Sequence, residues 1–319
     1  MKKREPKITS VEKECIVGLE GIGERLDRYL GSRFTYHSRT EWQRIIEQGI
    51  VRVNGVLIQG KARLKKGDRI VYQIHGLVEP EVNDDVRVLY DDGDLIICDK
   101  SGDLPVIPSG KYYQNTLYAV MTKRFGTIRL INRTDRETSG IVLLSRTDAC
   151  AAAIHTIIGT SAMKKLYIAV VSGTPPRSFT VRGNIGHVPH ADYRQMQGFA
   201  AFGKFSHTDF FRVSSANGYA MLFCRIFTGR THQIRVHLRE KGFHIVGDKI
   251  YGKEGPSIFQ EFLKSGNDIS SVHSGGMFRQ ALHAYKVSFT HPLTGRRVSV
   301  KAPLPKDIED FARDQGLMR

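Results

Sequence analysis

The run Asn132-Arg133-Thr134-Asp135-Arg136-Glu137-Thr138-Ser139-Gly140 passes without a break into Ile141-Val142-Leu143-Leu144. A solvent-facing strand alternates apolar and polar residues, so four apolar residues in a row describe a strand buried on both faces. The Thr-Ser-Gly end supplies turn chemistry at its entrance. A carboxylate packed between two arginines therefore sits where a loop feeds a core strand. That is a place to hold one reactive acid, Asp135, at the mouth of a cleft.

The segments on either side divide the chain. Residues 1–22 are polar and charged with no periodic pattern, and read as a flexible tail. From there to residue 76 the elements are short. Leu26, Tyr29 and Leu30 share one helical face, and Ser38 caps a second helix that Gly49 ends. Two small strands flank Asn54-Gly55, the dipeptide of a tight hairpin turn, and a further strand follows Lys66-Gly67-Asp68. Arg25, Arg28, Arg39 and Arg44 lie on the two helices and suit phosphate contacts. Residues 77–87 read as a linker. From 88 to 319, strands at Leu95–Cys98, Ile141–Leu144, Leu166–Val171, Ala220–Phe227 and Tyr285–Phe289 mix with helices. The fold class is α+β, with a mixed, mainly antiparallel sheet in the larger domain.

Charge narrows the partner. With 48 Lys+Arg against 32 Asp+Glu the formal net charge is +16, a field that favours a polyanion, above all nucleic acid. No apolar stretch approaches the ~20 residues of a membrane span, and the basic start has no apolar segment after it to make a secretory signal. The four cysteines form no metal spacing or CxxC pair, and point to reduced thiols in the cytoplasm. His187, His190 and His207 are near one another but lack acids or cysteines at ligand spacing, so neither metal nor organic cofactor is expected.

Four segments carry a family resemblance, in order. The Asn132–Gly140 run, Lys165-Leu166-Tyr167-Ile168-Ala169-Val170-Val171-Ser172-Gly173, Gly229-Arg230-Thr231-His232-Gln233-Ile234-Arg235-Val236-His237, and the pair Val246–Gly252 with Gln280–Ala284 resemble the motifs of RluA-like pseudouridine synthases. Two positions depart from the family pattern: Asn132 stands for His and Thr134 for Leu. A third difference is Asp99-Lys100-Ser101-Gly102, where the family more often has Asn-Lys-Pro. Residues 23–76, from Arg25-Leu26-Asp27 to Gly67-Asp68-Arg69-Ile70, resemble the small RNA-binding domain named after ribosomal protein S-four.

The resemblance implies an RNA uridine isomerase. Asp135 is then the essential carboxylate, acting as a nucleophile on sugar or base or as a base on the sugar. Arg235 is its charge partner, one turn into a helix capped by Thr231. Tyr167 stacks on the flipped-out uracil. Arg133 fills the space the base leaves, and Arg230, His232, Gln233 and Lys165 bind substrate. The implied partner is structured RNA: large-subunit ribosomal RNA first, transfer RNA as the alternative. The sequence is silent on oligomeric state, and a monomer is assumed. A catalytically silent RNA-binding or ribosome-assembly protein, or a base-removing hydrolase, could be built on the same motifs.

Overall fold

The computed structural model describes residues 8–34, 37–189, 196–265 and 273–319. The basic start at residues 1–7 and His190 lie outside them. The chain divides into two compact units, one running to Glu81 with Pro108–Gln114 added, the other Val82–Ile107 with Asn115–Arg319.

The small unit contains β1 (Ile8–Ile16), α1 (Leu26–Arg33), α2 (Arg39–Glu47), β2 (Val51–Val53), β3 (Val56–Leu57) and β4 (Arg69–Val78). Its sheet runs β1-β4-β2-β3. Leu26, Tyr29 and Leu30 are buried as their helical spacing demands. Ser38 Oγ accepts the Glu41 amide (3.2 Å), which caps α2 and sets Trp42 and Ile46 on the inward face. Trp42 is fully buried, edge-on to Tyr72 at 5.0 Å. Asn54 (φ 52°) and Gly55 (φ 81°) make the hairpin turn in the left-handed region.

The tail expected at residues 1–22 is corrected by β1. Residues 8–16 pair antiparallel with β4 over its length, and Arg69 grips Glu14 across the pair at 2.6 and 2.7 Å. An edge strand bonded on one side only, with Glu12, Glu14 and Ile16 outward, shows no apolar alternation to read. The carboxylate of Glu79, in the expected linker, accepts the amides of Tyr113 and Gln114 (2.8 Å each).

The large unit opens with β5 (Val86–Asp91), β6 (Leu95–Lys100), α3 (Leu117–Phe125), β7 (Arg129–Leu130), β8 (Ser139–Ser145) and α4 (Asp148–His155). Then come β9 (Lys164–Ser172), β10 (Ser178–His187), β11 (Gln197–Phe199), β12 (Lys204–Ala216) and β13 (Tyr219–Ile226). It closes with α5 (Gln233–Glu240), α6 (Ser257–Lys264), β14 (Leu282–Thr290), β15 (Arg297–Lys301) and α7 (Lys306–Asp314). One sheet orders them β11-β10-β12-β13-β9-β14-β8-β6-β5, with β15 on β14 and β7 on β8. Its pairings are antiparallel except β14 with β8. Every residue of β8 is buried, as the unbroken apolar run requires. Gly140 (φ 101°) lets the start of β8 press on β14: a Cβ there would lie 2.3 Å from the Ala284 carbonyl oxygen. The parallel strands β8 and β14 thus begin side by side, with β9 next to β14.

Candidate active site

Asp135 ends the charged loop just before β8, and its carbonyl accepts the Thr138 amide (3.1 Å) in the turn. Its Oδ2 accepts from Arg235 Nη1 at 2.7 Å and from Gln280 Nε2 at 3.5 Å. Arg235 in turn is locked from behind. Its Nε and Nη2 donate to the two oxygens of Asp248 at 2.7 and 2.8 Å, and its guanidinium lies 4.8 Å over the Tyr251 ring. Asp248 also accepts the amides of Ile250 and Tyr251 (2.9 Å each). Asp248 is fully buried and Arg235 is 5% exposed, whereas the Asp135 side chain is 25% exposed. The row acid–guanidinium–acid therefore has one open end, Asp135.

Burial alone would raise the Asp135 pKa. The His232 ring, the Arg235 guanidinium and hydrogen bonds from Arg235 and Gln280 outweigh it and hold the carboxyl at about 2. Burial, aided by Arg235, pushes His232 down to about 4, so its ring is neutral at neutral pH. The standing positive charge beside Asp135 is then that of Arg235. His232 Nδ1 lies 2.8 Å from the Tyr251 hydroxyl, which accepts the Gln197 amide (2.9 Å). A hydroxyl engaged that way can donate to Nδ1, which puts the ring proton on Nε2, 3.9 Å from Asp135 Oδ1.

These groups share a cleft of about 470 Å³ whose wall includes Asp135, Tyr167, Arg133, Arg230, His232 and Arg235. Tyr167 comes from β9, opposite Ala284 of β14. Burial, with the negative charge of Asp135, raises its pKa, so it stays a neutral phenol. Arg133 is exposed. Arg230 is anchored by Nε to the Phe205 carbonyl (2.8 Å).

Two residues expected to bind substrate are placed otherwise. Gln233 reaches the cleft wall, but its amide is committed to structure: Oε1 accepts from Thr228 Oγ1 and the Arg230 amide, and Nε2 donates to His207 O and Thr208 Oγ1. Lys165 does not line this cleft, and its Nζ donates to the Ile158 carbonyl at 3.0 Å. Burial lowers its pKa to about 8.

The helix cap also differs. Helix α5 starts at Gln233, and His232, not Thr231, holds the N-cap position, in the left-handed region (φ 57°) with no side-chain cap. The His232 ring is turned onto Tyr251, and the Gln233 carboxamide satisfies the Arg230 amide instead. Arg235 remains within the first turn.

The sequence patterns do not distinguish Asp248, Tyr251, Gln280 or Thr138 individually. Asp248 could have been found as the lone acid in Val246-Gly247-Asp248, where a lone buried charge needs a partner. The departures are structural in effect. Asn132 Oδ1 accepts the Leu143 amide of β8 (2.8 Å), while Thr134 Oγ1 is buried without a hydrogen-bond partner among the described residues. Lys100, also buried, donates to the carbonyls of Ser101 and Arg136 at 2.7 and 3.0 Å and so braces the loop.

In the small unit, Asp27 is fully buried and gathers the cations around it. Arg25 donates to both its oxygens (3.0 Å each), Arg39 to Oδ2 (3.2 and 3.1 Å) and Gln43 to Oδ2 (2.7 Å). Burial opposes the charge, but these hydrogen bonds bring its carboxyl down to about 2. Arg28 is exposed on α1, and Arg44 pairs with Glu41 at 3.3 Å.

An ionised acid beside an aromatic ring in one cleft suits an enzyme that holds a planar base while its carboxylate reacts. Comparison with known proteins agrees. Residues 94–240 match the family model for RNA pseudouridylate synthase, and residues 24–70 match the S4 domain. An RNA pseudouridine synthase of Chlorobaculum parvum, described as uncharacterized, is 32% identical over 89% of this chain and 92% of its own length. Ribosomal large subunit pseudouridine synthase D of Neisseria meningitidis is 30% identical over 92% of this chain and 79% of its own. The solved structure of human RNA pseudouridylate synthase domain containing 1 shares the fold, with TM-score 0.55 and 20% identity over 75% of this chain and 98% of that one. The chain belongs to the RNA pseudouridylate synthase family, and is an isomerase acting on uridine in RNA. Among the described residues no helix is long and apolar enough to cross a membrane.

Proposed function

We propose that this protein converts specific uridines of large-subunit ribosomal RNA to pseudouridine, in the cytoplasm and as a monomer, with Asp135 as the reacting group. The reaction breaks the bond from C1′ to N1, turns the base, and joins C1′ to C5. N1 gains a proton as C5 loses one, so nothing is added overall and no co-reactant is required. The observation that carries the reading is the Asp135–Arg235 pair at the open end of a buried charge row, in the same cleft as Tyr167.

Each group has a task that its geometry supports. Arg235 keeps Asp135 ionised, as a nucleophile or a base must be. The Tyr167 ring offers a face to the extruded uracil. Arg133, exposed at the cleft, enters the gap the base leaves, and Arg230 meets the backbone. The S4 domain raises the local concentration of RNA at the cleft, and Arg25, Arg28, Arg39 and Arg44 are its phosphate contacts. The ribosomal substrate is favoured by the name of the Neisseria relative.

The test is a map of pseudouridine in ribosomal and transfer RNA from cells lacking the gene, complemented with wild type or Asp135→Asn. A site in large-subunit RNA that returns only with wild type supports the reading. Return of a transfer-RNA site alone moves the substrate. Sites unchanged in all three strains make the protein an RNA binder without this activity.

A further inference from the structure

The loop bearing Asp135 is tied to the segment bearing Asp248 at two points. Arg235 makes the first tie. The second lies one residue beyond Asp248: Lys249 Nζ is 3.2 Å from each carboxylate oxygen of Glu137, and it also donates to the Phe278 carbonyl. The Lys249 side chain is 2% exposed. Glu137 accepts in addition from Arg136 Nη2 (3.2 Å) and the Gln280 amide (3.4 Å), and its carbonyl accepts from Arg279 Nη1 (3.0 Å). The buried ring of Phe262 covers the pair, 5.3 Å from Lys249 Nζ and 4.6 Å from the Arg136 guanidinium. The contacts close a ring from Asp135 through Arg235, Asp248, Lys249 and Glu137 back along the chain.

We infer that Glu137 and Lys249 are a positioning pair that fixes the orientation of the Asp135 carboxylate. The inference rests on the isomerase reading. Lys100 and Arg279 hold the loop by its backbone carbonyls, and the ion pair two residues beyond Asp135 adds a side-chain tie to the segment that also carries Asp248. Neither side chain is part of the cleft wall. Loss of the pair therefore acts on turnover rather than on RNA affinity. Displacing a reacting group by ~1 Å can cost ~10²-fold in rate.

The experiment compares wild type, Lys249→Met, Lys249→Arg and Glu137→Gln on an RNA whose uridine the wild type isomerises. Lys249→Met is expected to lower kcat about 10–100-fold with KM within about threefold of wild type. Lys249→Arg, which restores charge and reach, recovers most of the loss. A Lys249→Met enzyme within twofold of wild-type kcat, or a Lys249→Arg enzyme as slow as Lys249→Met, overturns the inference. If Lys249→Met does not fold, Glu137→Gln, which keeps the shape but removes the charge and turns one acceptor oxygen into a donor facing donors, decides on the same kcat and KM criteria. A wild type that leaves every uridine unchanged overturns the isomerase reading and this inference with it. An active wild type beside an unimpaired variant overturns only the positioning pair.

Discussion

Asp27 and Asp135 are built from the same parts in opposite order. In the small unit the acid is buried and its arginines face out: Asp27 is fully buried while Arg25 and Arg39 are 36% and 46% exposed. In the large unit the arginine is buried and the acid faces the cleft. Both carboxyls are held at about 2, so pKa alone does not tell a gripping site from a reacting one. What differs is which charge keeps access to solvent. A buried acid that aims cations outward offers positive charge to an anion, whereas a buried cation that aims an acid into a cleft offers a carboxylate to a substrate.

The comparison breaks first at Asp135. Asp135→Asn should lower single-turnover pseudouridine formation by about 10³-fold or more while RNA affinity stays within a few-fold. A comparable loss of binding would mean that the acid belongs to the grip. Asp248→Asn should be the costliest for the fold, because it strips the buried Arg235 of its rear partner. The expected loss is ~3–5 kcal/mol in denaturant unfolding. Tyr167→Ala should slow turnover about 10–100-fold and Tyr167→Phe only a few-fold, since stacking needs the ring and not the hydroxyl. Equal defects in the two would assign the work to the hydroxyl. Asp27→Asn should weaken RNA binding about fivefold and flatten its salt dependence by about one unit for each phosphate no longer neutralised, with the rate at saturating RNA unchanged.

Acid pH should separate the buried groups more gently. Burial pushes His232, His237 and His283 down to about 4, so they stay neutral in the fold but gain protons in the unfolded chain below about 6.5. Their contribution is whole above 6.5 and is lost as pH falls to about 4. Asp27 and Asp135 contribute above about 4 and lose it only toward 2. The melting temperature should therefore drop by several degrees between pH 6.5 and 4, ahead of the carboxylate step. A flat Tm over that window would contradict the buried neutral histidines.

Much of this was legible in the chain. Asp135, Arg235 and Tyr167 stand in motifs whose neighbours are strands and turns of plain pattern, and the structure brings all three to one cleft. What stayed hidden depends on pairing across distance. Strand β1 looks polar because only its register with β4 gives it a place. Gln233 looks like a substrate ligand until its four hydrogen bonds are seen to be taken by Thr228, Arg230, His207 and Thr208. Lys249 does not stand out within Val246–Gly252 because nothing local announces Glu137, 112 residues earlier.

The place of β14 in the sheet has a consequence for synthesis of the chain. Strands β8, β6 and β5 lie on one side of it and β9, β13, β12, β10 and β11 on the other, yet it is made after all of them. Until residues 282–290 leave the ribosome, the strand that Asp135 leads into and the strand bearing Tyr167 belong to two sheets with nothing between them. The wall of the cleft cannot close before Leu282–Thr290 have been made, although Asp135, Tyr167 and Arg235 all precede them in the chain.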